Sequence, residues 1–344
     1  MKTIIQKIAD GQNLTADEAQ DVMSQIMSGK ATDAQIGAFL TALRIKGETT
    51  EEIAAMATIM RKFATNIRPD VGDKYLVDTC GTGGDKIKTF NISTTAMFVV
   101  AGAGIPIAKH GNRAVSSKSG SADILENLCG SCLLGMTPDD VKKSIEDIGI
   151  GFMFAPLFHS AMKHVMPART QIGIRTVFNI LGPLTNPANA SGQIVGVYDS
   201  HLTEKIAGVL RIMGLKRGMV VSGIGGIDEI SLIGATKISQ FTEDKKMNTY
   251  YIEPEEIGFE KCKKEMIAGG DVEYNAKILR DILSKGEIGP RRDIVVANAA
   301  GGIVVGGLAG NIKEAVAIAE KSIDSGAALQ KLEDFTGFCR MNFK

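Results

Sequence analysis

The chain has 344 residues, of which 44% are hydrophobic and 23% charged, a balance typical of a globular protein with one large domain or two smaller ones. Lysine plus arginine and aspartate plus glutamate both number 39, so no net charge attracts the chain to nucleic acid or to a membrane surface. We expect neither a signal peptide nor a membrane span, because no segment reaches the roughly 20 apolar residues that cross a bilayer. The five unevenly spaced cysteines are untypical of a disulfide framework and indicate a reducing, cytoplasmic location.

The first 70 residues carry three capping-box sequences, in which a threonine is followed three residues later by an acid or an amide. These boxes begin at Thr15, Thr32 and Thr49, and apolar residues recur at helical spacing after each one. Gly29 and Gly47 are placed to end the first two helices. Helices this short are not stable alone, so we expect them to pack on each other, on the rest of the chain or on a second subunit.

Apolar runs alternate with helical patterns beyond residue 74, which predicts an α/β domain with a mostly parallel central sheet. The predicted strands are Tyr75–Cys80, Ile105–Lys109, Gly192–Tyr198, Arg217–Ser222 and Asp293–Ala299. The polar stretch Thr242–Asn248 is predicted to be an exposed turn. Ligands usually bind at loops that follow the carboxyl ends of parallel strands, so these loops are the first places to look for a site.

A glycine-rich loop, Gly81-Thr-Gly-Gly-Asp85, follows the first predicted strand. Its N–H groups can turn toward a phosphate because no Cβ blocks the approach, although a plain tight turn explains the glycines equally well. The sequence Asn91-Ile-Ser-Thr94 then opens a predicted helix, Thr95–Gly104. Hydroxyls at a helix start commonly cap its N–H groups, and they also suit an anion held at the positive end of the helix. Proximity to the glycine loop favours the anion.

A third polar segment runs from Lys109-His-Gly-Asn-Arg113 to Ser121 and contains three cations and four hydroxyls. Charged runs are usually solvated surface, but this one follows an apolar strand and has no acidic residue before Asp123. An anion-binding loop is therefore the favoured interpretation.

Two further segments contain residues that could bind a metal ion or a substrate carboxylate. Asp228 and Glu229 lie in a glycine-flanked loop after the strand near residue 220 and suit Mg²⁺, although an acidic helix start is the common alternative. Arg169 or Arg175 could hold a substrate carboxylate with a guanidinium fork, and their spacing does not choose between them.

In this order, along nearly the whole chain, these segments resemble the anthranilate phosphoribosyltransferase family of tryptophan biosynthesis. The resemblance rests on the motifs Gly-Thr-Gly-Gly-Asp, Asn-Ile-Ser-Thr, Lys-His-Gly-Asn-Arg, Ser-Gly-Ser-Ala-Asp, Asn-Ile-Leu-Gly-Pro-Leu-Thr-Asn-Pro and Asp-Glu-Ile-Ser. It implies a small all-helical domain, residues 1–70 with a contribution from about 165–188, and a larger α/β domain formed by 74–164 and 189–344. The substrate cleft would lie between the domains, and the N-terminal helices would form a homodimer.

The resemblance also implies residue roles. The phosphoribosyl diphosphate site would comprise Gly81, Gly83, Gly84, Asp85, Thr89, Asn91, Ile92, Ser93, Thr94, Lys109, Gly111, Asn112, Arg113, Ser117 and Ser121. The anthranilate site would comprise Gly81, His110, Asn112 and Arg169. Ser93, Asp228 and Glu229 would hold Mg²⁺, two ions per subunit. No nucleophile or general base is assigned.

Three alternatives remain at this stage. A pyrimidine nucleoside phosphorylase shares the overall plan, but its loop lacks the acidic pair and the Asn-Ile-Ser-Thr sequence. A non-catalytic nucleic-acid-binding relative is disfavoured by the balanced charge. Cys129 and Cys132 form a CxxC, which suggests redox or metal chemistry only weakly without a second cysteine pair.

Overall fold

Four helices begin the chain, and strands then alternate with helices. The structure, a computed structural model, describes residues 1–84, 87–114 and 118–341. The helices are α1 (Lys2–Ala9), α2 (Ala16–Met27), α3 (Asp33–Lys46), α4 (Thr50–Phe63), α5 (Ile92–Gly102), α6 (Ser121–Cys129), α7 (Pro138–Ile148), α8 (Ala155–Phe158), α9 (Met166–Ile172), α10 (Phe178–Leu184), α11 (Leu202–Ile212), α12 (Val272–Leu283), α13 (Pro290–Val305), α14 (Ile312–Asp324) and α15 (Ala327–Met341). The strands are β1 (Val77–Gly81), β2 (Ile107–Gly111), β3 (Ile150–Phe154), β4 (Gly192–Gly196), β5 (Arg217–Gly223), β6 (Thr236–Thr242) and β7 (Lys245–Ile252).

The predicted helix starts in the first 70 residues are confirmed. The Thr15 hydroxyl accepts a hydrogen bond from the Glu18 N–H at 3.2 Å, and the Glu18 carboxylate accepts from the Thr15 N–H at 2.8 Å. The boxes that begin at Thr32 and Thr49 are closed in the same reciprocal way. Each box satisfies two N–H groups that would otherwise lack a partner at the helix start, so α2, α3 and α4 begin where local sequence dictates.

The strands form one sheet in the order β3-β2-β1-β4-β5-β6-β7. The first five are parallel, and the hairpin of β6 and β7 extends the sheet antiparallel at one edge. Successive connections run outward from β1 to β2 and β3 on one side, and from β4 to β5 on the other. The sheet therefore has a topological switch point between β1 and β4, where a crevice opens at the carboxyl ends of the strands.

Parts of the strand prediction are wrong. The apolar run Asp293–Ala299 lies within α13, whose residues 294–305 are all buried. Burial on every side removes the polar stripe that distinguishes a helix, so the run looks like a buried strand. Strands β3 and β6 had no counterpart among the predicted strands. The stretch predicted as an exposed turn, Thr242–Asn248, contains the hairpin turn, but its second half is part of β7.

Two apolar clusters lie on opposite faces of the sheet. Ile194 and Met219 belong to the cluster that packs under α5, α12, α13 and α15, whereas their neighbours Val195 and Val220 belong to the other. Successive strand residues point to opposite faces, which explains the division. The second cluster is completed by α1–α4, by α11 and by residues 161–184. The fold class predicted from the sequence, a helical unit with a larger α/β unit, is confirmed.

No helix within the described residues is both long enough and apolar enough to cross a membrane.

Candidate active site

The switch point is occupied by Asp228. Gly81, the last residue of β1, pairs with Gly196, the last residue of β4, and Asp228 lies against both. A Cβ at Gly81 would collide with the Asp228 carboxylate, and a Cβ at Gly196 would collide with its backbone carbonyl. Glycine at the ends of both strands therefore gives this aspartate the space to reach the crevice.

The two acidic side chains each accept a hydrogen bond from a backbone N–H in a segment predicted to bind phosphoribosyl diphosphate, the phosphoribosyl donor. The Asp228 carboxylate accepts from the Gly83 N–H at 2.9 Å, in the glycine-rich loop after β1. The Glu229 carboxylate accepts from the Ser93 N–H at 3.2 Å, in the first turn of α5. The acidic pair, the glycine-rich loop and the start of α5 are thus brought together, although 145 residues separate Gly83 from Asp228.

Asn298 fixes the chain immediately after the acidic pair. It is 3% exposed and lies on α13 beneath the site. Its carboxamide accepts from the Ile230 N–H at 2.8 Å and donates to the Ile230 carbonyl at 2.9 Å. A further bond to the Ile294 carbonyl, at 2.8 Å, ties the side chain to its own helix. The position of the carboxylates therefore depends on a buried side chain of another element.

Lys109 is buried beside Ser93 rather than on the surface. Its ammonium, 2% exposed, donates to the Thr79 carbonyl and to the Ser93 hydroxyl, the latter at 3.3 Å. Burial lowers the pKa of Lys109, and the negative charges of Asp78 and Glu229 oppose that shift. Burial raises the pKa of Asp78, and Lys109 opposes it. The buried cation and the surrounding carboxylates stabilise one another's charged forms.

The described residues between β2 and α6 are tied to acidic side chains of α6. Arg113 forms ion pairs with Asp123 at 2.9 Å and with Glu126 at 2.8 Å. The other Asp123 oxygen accepts from the N–H groups of Ala114 and Gly120, so this carboxylate ties the two ends of the loop together. Asn112 is exposed, and its backbone carbonyl accepts from the Ser121 hydroxyl at 3.4 Å.

The remaining residues predicted to bind phosphoribosyl diphosphate lie in or near the same loops. Gly84 lies in the glycine-rich loop, Gly111 ends β2, and Ile92 and Thr94 are buried in the first turn of α5. Thr89 pairs with Ala268 in an isolated antiparallel bridge. Asp85 and Ser117, also predicted to bind the donor, lie outside the described residues.

His110 and His159 form a buried pair with ring centroids 4.9 Å apart. Burial lowers the pKa of His110 to about 3 and that of His159 to about 4, so both rings are neutral near pH 7. The Nε2 of His110 and both ring nitrogens of His159 are buried without a protein hydrogen-bond partner. Orphaned polar atoms of this kind indicate a place where a polar ligand or water binds.

The two candidate arginines occupy different places. The Arg169 guanidinium lies 5.3 Å from the centre of the Phe178 ring, and burial lowers its pKa. Arg175 stacks 4.4 Å from the centre of the Tyr198 ring and donates to the Gly84 carbonyl at 3.4 Å. Arg175 therefore contacts the glycine-rich loop, whereas Arg169 lies on α9 and contacts Phe178.

The side-chain oxygen atoms of Ser93, Asp228 and Glu229 fit Mg²⁺ as ligands. Two adjacent carboxylates and the Ser93 hydroxyl are oxygen ligands, and Mg²⁺ usually binds one or two carboxylates and completes its shell with substrate phosphates and water. Within the described ranges, no three His, Cys, Asp or Glu side chains converge as a protein-only metal site. The arrangement suits an ion that the substrate brings with it.

Sequence reasoning missed several residues that shape the site: Asp78, Ser119, His159, Gln193 and Asn275. Asn275 could have been found, because it shares a helical face with Ile278, Leu279 and Ile282, and a polar residue on an apolar face needs a buried partner. The CxxC cysteines lie elsewhere, on α6 and just after it, and the Cys132 thiol donates to the Cys129 carbonyl at 3.2 Å. Both are free thiols.

Comparison with known proteins identifies the class first. Residues 73–329 match the glycosyl transferase family a/b domain, and residues 2–64 match the helical bundle domain of a glycosyl transferase family. Fold and site together define a glycosyl transferase built of these two parts.

Individual relatives narrow the class. Anthranilate phosphoribosyltransferase of Acetivibrio thermocellus is 51% identical over 338 residues, 98% of this chain and 96% of that protein. The Thermus thermophilus enzyme of the same name has a crystal structure with TM-score 0.90 and 40% identity, covering 98% of this chain and 99% of the other. This chain belongs to the anthranilate phosphoribosyltransferase family.

Ligand complexes of the Saccharomyces cerevisiae family member are also similar to this chain in structure. One is a complex with PRPP and Mg, with TM-score 0.88 and 31% identity, covering 98% of this chain and 97% of the other. The second is a complex with 4-fluoroanthranilate, with TM-score 0.86 and 30% identity over the same shares.

Proposed function

We propose that the chain transfers the phosphoribosyl group of 5-phosphoribosyl 1-diphosphate to the amine of anthranilate, giving N-(5-phosphoribosyl)anthranilate and diphosphate. This is the second step of tryptophan biosynthesis. The observation that carries the proposal is the junction of Asp228 and Glu229 with the glycine-rich loop and the start of α5. It combines carboxylates for a metal with N–H groups and a helix start for phosphates.

In the reaction, the nitrogen lone pair of anthranilate forms a bond to C1 of the ribose as the bond from C1 to the diphosphate oxygen breaks. Negative charge develops on the leaving diphosphate, and positive charge develops on the sugar, as in other displacements at an anomeric carbon. Bound Mg²⁺ would neutralise charge on the diphosphate, with Ser93, Asp228 and Glu229 as its protein ligands. The amine proton is lost to solvent or to the neighbouring carboxylate of anthranilate, since no residue is assigned as a base.

The rest of the site positions and stabilises. Lys109 holds the Ser93 hydroxyl from below and supplies a fixed positive charge next to the leaving group. The glycine-rich loop and the segment that begins at Lys109 bind the donor. Arg169, Asn112 and His110 bind anthranilate, with the guanidinium paired to its carboxylate. Placing two substrates in one closed cleft supplies much of the rate enhancement.

The assembly and location are part of the proposal. Ile45, 81% exposed at the end of α3, and Ile174, 51% exposed just after α9, are apolar surfaces of the helical part that a second copy would cover. We expect a homodimer through the N-terminal helices, two Mg²⁺ ions per subunit and a cytoplasmic location, which the five free thiols favour. Light scattering of Ile45→Glu tests the dimer, since a monomer is the expected result.

The test of the activity is a fluorescence assay of purified protein with anthranilate, the donor and Mg²⁺, following the loss of anthranilate emission. Turnover that requires all three components is the expected result. Absence of turnover from folded protein would overturn the proposal.

A further inference from the structure

Asn275 is a buried polar residue on the otherwise apolar face of α12. It is 3% exposed, and its neighbours on that face are Ile278, Leu279 and Ile282. An amide in such a place carries a desolvation cost unless its hydrogen-bonding groups are all used. They are used: the partners are Asn91, a predicted donor-site residue, Ser119, in the segment that begins at Lys109, and Gly270, just before α12.

Three side chains form a closed triangle. The Asn275 Nδ2 donates to the Ser119 hydroxyl at 2.7 Å and to the Asn91 Oδ1 at 3.3 Å. The Ser119 hydroxyl donates to the same Asn91 oxygen at 2.9 Å, and the Asn91 Nδ2 donates to the Ser119 carbonyl at 3.3 Å. Asn91 immediately precedes α5, and Ser119 is two residues before α6. The triangle therefore joins the starts of two helices that approach the donor.

The acceptor side of Asn275 fixes its own surroundings. Its Oδ1 accepts from the Gly270 N–H at 2.8 Å. The adjoining Gly269 N–H donates to the Lys88 carbonyl at 3.0 Å, and Ala268 is bridged to Thr89. The segment before α12 is thus held against the residues that lead to Asn91. Asn275 adds a second link, because it bonds both Gly270 in that segment and Asn91 itself.

We propose that Asn275 is a positioning residue for the phosphoribosyl diphosphate site, which holds Asn91, just before α5, and Ser119, just before α6, in the arrangement that binds the donor. The inference rests on the proposed function and extends it to a residue that does not touch substrate. The side chain acts through Asn91 and Ser119: with it, both residues are fixed before the donor arrives. Without it, ordering them becomes a cost of binding.

Two substitutions separate the parts of this role. Asn275→Asp keeps an oxygen for the Gly270 N–H and loses the donor that contacts Ser119 and Asn91. Because a carboxylate could also repel the diphosphate, Ser119→Ala serves as the neutral second probe. Ser144→Ala is the matched control: its hydroxyl is fully buried and donates to the Ile150 carbonyl at 2.6 Å, at the amino end of β3, away from the site.

The measurements are KM and kcat for both substrates, and calorimetric titration with the donor and Mg²⁺ in the absence of anthranilate. We expect both probes to weaken donor binding about tenfold, the loss of a buried hydrogen-bonded network, with the KM for anthranilate changed less than about twofold. The double variant is expected to be no worse than either single variant, because the two residues act as one unit. Ser144→Ala should leave both constants unchanged.

Unchanged donor affinity in Asn275→Asp and Ser119→Ala, while the wild type turns over, would overturn this inference alone. Equal rises in the KM of both substrates, or the same rise in Ser144→Ala, would also overturn it by indicating general destabilisation. A wild type that binds the donor but does not use anthranilate overturns the proposed acceptor, and the calorimetry still decides the role of Asn275. A wild type that binds no donor overturns both.

Discussion

The carboxylate of Glu229 accepts a hydrogen bond from the Ser93 N–H at 3.2 Å, and the Ser93 hydroxyl accepts one from the buried ammonium of Lys109 at 3.3 Å. Ser93 is thereby held between a negative and a positive group. In the proposed function, the Ser93 hydroxyl oxygen is a ligand of the metal. The start of α5 would then belong both to the metal site and to the phosphate site.

Removing both negative charges tests the metal site. We expect the double variant Asp228→Asn/Glu229→Gln to lose at least about 100-fold in kcat, because charge on the leaving diphosphate would no longer be stabilised through the ion. Steady-state assays over a range of Mg²⁺ concentrations give the measurement. Glu333→Gln, on the exposed side of α15, is the control and should behave as wild type. Full activity of the double variant would contradict the assignment.

Asn298 is predicted to tune the metal site without touching the ion. Asn298→Ala removes the two bonds that fix Ile230, so the carboxylates lose their orientation. We expect the Mg²⁺ concentration for half-maximal activity to rise by about 10- to 100-fold, the usual effect of removing a partner that orients metal ligands. A lower melting temperature with an unchanged Mg²⁺ requirement would show that Asn298 only stabilises the fold.

Arg169 and Arg175 should have separable effects. Arg169→Ala is expected to raise the KM for anthranilate about tenfold or more, through loss of a charge-assisted bond, with donor affinity retained. Arg175→Ala should instead affect the donor, because Arg175 bonds the glycine-rich loop at Gly84. Initial rates with each substrate varied in turn distinguish the two. An Arg169 variant that loses donor affinity would refute its assignment to anthranilate.

The paired histidines predict a loss of stability in mild acid. The pKa values of His110 and His159 fall from 6.5 to about 3 and about 4 in the folded chain. Below pH 6.5 the unfolded chain takes up protons that the folded chain does not, so stability is complete above that pH and declines as pH falls. Between pH 6.5 and 5 the loss is about 2 kcal/mol for each ring.

Thermal melting at pH 7.5 and pH 5 measures this loss. The double variant His110→Gln/His159→Gln, whose amides do not titrate, should show a smaller fall in melting temperature between the two pH values than the wild type. Equal falls in the two proteins would mean that other groups cause the acid sensitivity.

Features that depend on residues close together in the sequence could be predicted, whereas features that depend on contacts between distant segments for the most part could not. Capping boxes such as Thr15–Glu18 form within four consecutive residues, so the local sequence is enough to predict them. Asp228 and the glycine-rich loop could be assigned to one site because parallel strands bring their carboxyl ends to the same edge. Helix α13 and the triangle around Asn275 depend on which distant segments pack against them, and no local pattern encodes that. The predicted domain limits and residue roles remain predictions.

Gly196 touches no group that reacts, yet the backbone of Asp228 occupies the space that any larger side chain would need. A library of all substitutions at every position, selected for growth without added tryptophan, would consequently rank position 196 with the metal carboxylates. Such a map would show that substitutions are not tolerated at a position that has no reactive side chain. In this protein, we expect the lack of a side chain at position 196 to be as much a requirement of the active site as the acidic pair itself.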